Sequence, residues 1–139
     1  MGKINFGRVL LGGLVAGVVL NIGEWLLNGF VLHQAMTDFF KRCGFAEPGG
    51  KFLAIAVAIT FVLGIVLVLG YAAIRPRFGA GPKTAILAAL FAWFGVVVYQ
   101  NVIAAGLGMV PMNLVAIALG WELVEYGLAA LVGAALYKE

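Results

Sequence analysis

The stretch Asn113–Tyr137, NLVAIALGWELVEYGLAALVGAALY, decides the fold. At a rise of about 1.5 Å per residue, such a helix is long enough to cross a hydrocarbon core of roughly 30 Å. Two carboxylates, Glu122 and Glu125, stand inside it. Acids at such depth are costly, which makes this span the first place to look for a functional site. At about 100° per residue, Ala118, Glu122, Glu125, Ala129 and Gly133 share one face. Small residues with acids set among them are the pattern of a helix that packs inward.

The rest of the chain has the same character. Of 139 residues, 64% are hydrophobic and 11% charged, and the mean hydropathy is +1.10. Ordinary soluble domains are roughly 45–50% apolar and about 25% charged. A water-soluble core cannot absorb so much apolar surface in so short a chain. The composition therefore predicts one integral membrane domain, an all-α four-helix transmembrane bundle with lipid as its solvent. The net charge of +3 does not point to nucleic acid, because the only basic run is Lys41–Arg42. Lone Cys43 rules out an internal disulfide and any CxxC motif.

Upstream of the final span, apolar runs mark three more, at 9–32, 52–74 and 84–105, with the last at 113–137. Lys3 and Arg8 before the first run resemble a signal peptide. The run is too long for one and lacks a small-residue cleavage site, so a retained helix is expected. On that first span Gly13, Gly17, Asn21, Glu24 and Asn28 fall on one narrow face. Gly13-x-x-x-Gly17 permits close helix approach, and the polar residues continue the face. Loop 33–51 is the longest. Thr37 is expected to cap a short helix through Arg42, ended by Glu47-Pro48-Gly49-Gly50, that lies in the interface or caps the bundle. In the turn RPRFGAGPK, residues 75–83, Pro76 and Pro82 are expected to bar helix continuation.

Four spans put both termini on one side. Lys3, Arg8, Arg75, Arg77, Lys83 and Lys138 share that side, against Lys41, Arg42 and Lys51 on the other. The positive-inside rule makes both termini cytoplasmic. Glu24 then lies about 12 Å below the outer boundary, Glu122 about 14 Å below it, and Glu125 one turn deeper. Asn28, Gln100 and Asn101 lie above them, within about 8 Å of the surface. Helices from three spans can thus pool polar groups in the outer half. No Lys, Arg or His in the spans lies at that depth, and three carboxylates in a low dielectric resist joint ionisation, so protonation or a bound cation is expected.

Several chemistries fit poorly. The di-iron pattern needs Glu-x-x-His, whereas Glu122-x-x-Glu125 has no histidine. His33, the sole histidine, sits at the outer end of the first span, where a polar boundary residue is the plainer reading than a pigment ligand. No G-x-S-x-G, H-E-x-x-H or P-loop occurs. No catalytic constellation, metal or cofactor is therefore expected. Trp25, Trp93 and Trp121 lie within the spans, where packing is the plain reading and pocket lining the other.

The stretches GRVLLGGLVAGVVLNIGEWLLNG, YAAIRPRFGAGPKTA and ALGWELVEYGLAALVGAALYKE resemble a group of small four-helix bacterial inner-membrane proteins without an assigned activity. More distantly, they resemble four-span families of unknown function with Trp and Gly in the first span. The resemblance implies the architecture and a bacterial inner membrane, and it transfers no site residue. Small multidrug transporters offer a second comparison, with four short helices and a Glu in the first. This chain departs from them in its two further acids, its long first outer loop and its biased charge, which disfavours dual topology.

Two functions follow. In the first, the chain is a structural or accessory component of a membrane assembly, joined to a membrane-protein partner or to copies of itself. Its carboxyls then bond across helices to Asn21, Asn28, Gln100 and Tyr126. In the second, it is a small transporter or binding protein whose carboxylate cluster takes protons or a cation.

Overall fold

The computed structural model describes residues 3–138; Met1, Gly2 and Glu139, which belong to the basic leader and the closing Lys138–Glu139 pair, lie outside the described residues. The chain is 85% helical with no strand among the described residues. Helix α1 spans Phe6–Val31, α3 Gly50–Phe78, α4 Pro82–Gly106 and α5 Met112–Leu136. Each is long and apolar enough to cross a membrane. Between the first two lies α2, His33–Cys43. The chain is a multi-pass membrane protein built as a four-helix bundle with one additional short helix.

In cross-section α1 and α4 sit on opposite sides, each between α3 and α5, while α3 and α5 also touch across the middle. Glycine sets how closely they approach. A Cβ on Gly64 of α3 would stand 2.5 Å from both the Gly13 carbonyl and the Gly17 amide of α1. One on Gly12 would stand 2.5 Å from the Gly133 carbonyl of α5. Ala16, Leu20 and Ala129 are fully buried beside these contacts. Backbones can meet in this way only where side chains are absent, and in lipid such van der Waals packing replaces the hydrophobic effect as the cohesive term.

Outside this core the surface is apolar. On the first half of α3, Phe52, Leu53, Ile55 and Ile59 are each more than half exposed, the profile of a helix solvated by acyl chains. The opposite end of the bundle ties the chain ends to the α3–α4 turn. Tyr137 accepts a hydrogen bond from the Asn5 amide at 3.3 Å. The Arg75 guanidinium lies 5.4 Å from the Tyr137 ring centroid. Both described ends of the chain and the basic turn therefore share one end of the bundle.

Several expectations about the connections are corrected. Helix α3 runs through Pro76 to Phe78. A proline in the last turn forfeits only one hydrogen bond, and the helix closes where the Gly79 N–H donates to the Arg75 carbonyl at 2.8 Å. Gly79 and Gly81 take positive φ, +85° and +132°, and these rather than the prolines make the turn. Pro82 opens α4 at its first turn, where its missing N–H costs nothing. Thr84 secures the corner by donating its hydroxyl to the Gly79 carbonyl at 2.7 Å. The short helix α2 begins at His33, so Thr37 lies inside it instead of capping it. It ends at Gly44, in the left-handed region, before the Pro-Gly-Gly segment is reached.

Two wide π-turns interrupt the spans, Leu27–Val31 in α1 and Phe94–Val98 in α4. Such turns insert a residue and rotate everything beyond them, and they concentrate at functional sites.

Candidate functional site: a lidded cavity in the half of the bundle away from the chain ends

Beyond the glycine-packed level the helices part, and a cavity of about 220 Å³ opens between α1, α4 and α5. From α1 come Glu24, Leu27 and Asn28; from α5, Leu114, Ala118 and Glu122; from α4, Asn101. Helix α2 folds back over the opening. Its residues Ala35, Met36, Phe39 and Arg42, spaced to share one face, complete the lining together with Met109–Pro111. Nothing from α3 reaches it.

Glu24 and Glu122 thus come together from two helices, as their common depth implied. Asn28 holds Glu24 from one turn away, donating to its Oε2 at 2.8 Å and to its backbone carbonyl at 3.0 Å. Asn101 donates to the Val97 carbonyl, at the π-turn of α4, at 2.9 Å. Each amide is thereby fixed through its nitrogen, with its oxygen in no hydrogen bond to the chain. Glu24, Asn28, Asn101 and Glu122 together form a cavity floor that accepts hydrogen bonds.

Other expected members lie elsewhere. Asn21 donates to the Gly17 carbonyl at 2.9 Å and reaches the Val57 carbonyl at 3.5 Å, so it serves the α1–α3 contact. Gln100 is exposed and outside the lining. Glu125 is only 5% exposed and packs its carboxyl against the Cα of Gly23, a position where no Cβ would fit. Neither of its oxygens meets full hydrogen-bond geometry, although the Trp121 indole N–H stands beside the carboxyl as a donor. It lies beneath the floor and does not line the cavity. The interhelical bonds expected to glue the carboxyls together are not the pattern found: the amide that bonds to Glu24, Asn28, belongs to the same helix.

None of the tryptophans lines the cavity. Trp121 donates its indole N–H to the Gly23 carbonyl at 3.2 Å, and Trp93 donates to the Leu119 carbonyl at 3.0 Å. These bonds cross between helices beside the acids and set the spacing of α1, α5 and α4. Trp25 is 63% exposed and stacks edge-on against Phe30.

Arg42 is the residue that counting depth along the spans misses. It belongs to a loop in sequence, yet its helix brings it to the lining of the cavity that Glu24 and Glu122 also line. The amphipathic spacing of Ala35, Met36, Phe39 and Arg42 carried that signal, but only the sharp break at Leu32 aims the helix across the opening. Among the described residues, no group of three His, Cys, Asp or Glu side chains is placed to hold a metal ion. The acceptor-rich floor suits a molecule with N–H donors better than a bare ion.

Fold and site together define a small integral membrane protein with a lidded, acid-floored cavity. No protein family, curated protein or solved structure matches the chain.

Proposed function

We propose that this protein is a small membrane transporter or binding protein that holds a small organic cation against Glu24 and Glu122. The observation that carries the reading is the cavity itself: two carboxylates and two amides from three helices open onto one space of about 220 Å³. Its volume falls below the roughly 300–1,000 Å³ usual for drug-sized ligands, so the ligand is smaller. Glu125, buried one turn beneath with neither oxygen in a well-formed hydrogen bond, supplies a further proton-binding group within the same half of the bundle. An accessory role in an assembly has less behind it, since the Gly13 and Gly17 motif that would recruit a partner helix is consumed inside the bundle by Gly64 and Phe61.

In this reading the protein sits in a bacterial inner membrane, as the resemblance of its three long stretches suggests. Both termini and the Arg75–Lys83 turn face the cytoplasm and the lidded cavity faces outward, in keeping with the positive-inside rule. Reporter fusions after Gly50 and after Lys138 test the orientation; a cytoplasmic signal from the first contradicts it.

Binding is tested with benzylammonium, which is small enough for the cavity and carries three N–H donors. Calorimetry on detergent-solubilised protein should show saturable binding that weakens at least tenfold in Glu24→Gln and in Glu122→Gln, with helicity unchanged. Wild-type affinity in both variants, or unfolding of both, makes the carboxylates idle or structural and removes the proposal.

A further inference from the structure

The cavity has two chemically opposed ends. Its floor is Glu24, Glu122 and the oxygens of Asn28 and Asn101; its lid carries Arg42; between them stand apolar walls of Leu27, Met36, Phe39 and Leu114. A simple cation satisfies the floor and is repelled by the arginine. A simple anion meets the reverse difficulty. From this juxtaposition we infer that the ligand is a zwitterion, with a primary ammonium on the acid floor and an anionic group on the Arg42 guanidinium. The inference rests on the binding reading above and narrows its substrate class.

Each part of the site has a matching ligand group. A primary ammonium offers three N–H donors, and the floor consists of acceptors from three helices. Arginine is the side chain best shaped to grip a carboxylate or phosphate through paired N–H bonds. Such complementarity of charge along one axis selects orientation as well as identity. Glu125 adds a further buried acid directly behind the floor. It is 5% exposed, has neither oxygen in a well-formed hydrogen bond, and lies against Gly23, the residue next to floor residue Glu24. The lid position also matters. Helix α2 is joined by the break at Leu32 on one side and by Gly44, Gly49 and Gly50 on the other, so Arg42 can close on the ligand after entry.

Two sources supply this chemistry: a free amino acid-like molecule, or the headgroup of an ethanolamine phospholipid. The test uses 4-(aminomethyl)benzoate against benzylammonium, which share a ring and an ammonium and differ by one carboxylate. In wild-type protein the zwitterion should bind at least tenfold tighter. Arg42→Gln should reverse that order, weakening the zwitterion and strengthening benzylammonium, while Arg42→Lys restores part of the preference. For the lipid source, protein from vesicles of phosphatidylethanolamine and phosphatidylglycerol is assayed for retained lipid by native mass spectrometry. Selective retention of phosphatidylethanolamine, lost in Arg42→Gln, supports the inference through that source. If benzylammonium binds as well as the zwitterion, Arg42→Gln leaves their ratio unchanged, and neither lipid is selected, the zwitterion inference is overturned. Benzylammonium binding that still depends on Glu24 and Glu122 would then leave the broader proposal standing; absence of all binding removes both. Arg42 lies on an exposed helix remote from the bundle core, so its variants are expected to fold.

Discussion

Gly64→Ala should lower the unfolding midpoint of the bundle sharply, while Gly70→Ala on the same helix should leave it nearly unchanged. The first methyl group would stand 2.5 Å from the Gly13 carbonyl and the Gly17 amide, two backbone groups that cannot rotate away. Helices α1 and α3 would have to separate, breaking the contact on which the glycine-packed half of the bundle depends. Overpacking of this kind costs about 1–3 kcal/mol and sometimes more. At Gly70 no atom lies within 4 Å of the added methyl, so the change should stay within about 0.5 kcal/mol. Denaturation by dodecyl sulfate in mixed micelles, followed by circular dichroism, measures both. Equal midpoints for the two variants would mean that the α1–α3 contact is not close packed.

Glu125→Met should have the opposite sign, making the protein more stable. Its carboxyl is buried with neither oxygen in a well-formed hydrogen bond and only the Trp121 indole beside it, an arrangement that costs about 1 kcal/mol or more to maintain. A thioether of similar length removes that cost and keeps the contact with Gly23. The same micelle titration should show a raised midpoint. A lowered midpoint would assign Glu125 a structural bond and place it among the residues that hold the bundle together. The combination matters for function: a residue kept at the expense of stability is the mark of a site with a chemical task.

Much of this was legible in advance, and the reasons differ by feature. Hydropathy located the four spans within a few residues of Phe6–Val31, Gly50–Phe78, Pro82–Gly106 and Met112–Leu136, because lipid leaves helices no alternative way to satisfy their backbone. The pairing of Glu24 with Glu122 followed from depth alone, since an antiparallel bundle places equal depths side by side. Asn21 did not follow the same logic. It shares a face with Glu24 by arithmetic, but α3 packs closely at its level and captures its amide through Val57. Arg42 was hidden for a different reason. An amphipathic pattern shows that a helix has an apolar side and does not show which surface that side will cover.

The lid changes what the acids mean. As a cluster in a span they invited either protonated hydrogen-bonding pairs or a metal-like cation. With Arg42 above and acceptors below, the cavity is polar at both ends and apolar between, and it is set in the half of the bundle away from the chain ends. That geometry matches recognition of a small molecule by its two charges. It also assigns the glycine-packed half a role as the rigid base against which the lidded half can open.

An experimental density map of the protein purified gently from its native membrane examines this arrangement most directly. A compact feature larger than water, bridging Glu24 and Glu122 to Arg42 beneath α2, is the expected result. A closed, featureless interior, with the carboxyls bonded to one another across α1 and α5, would contradict it.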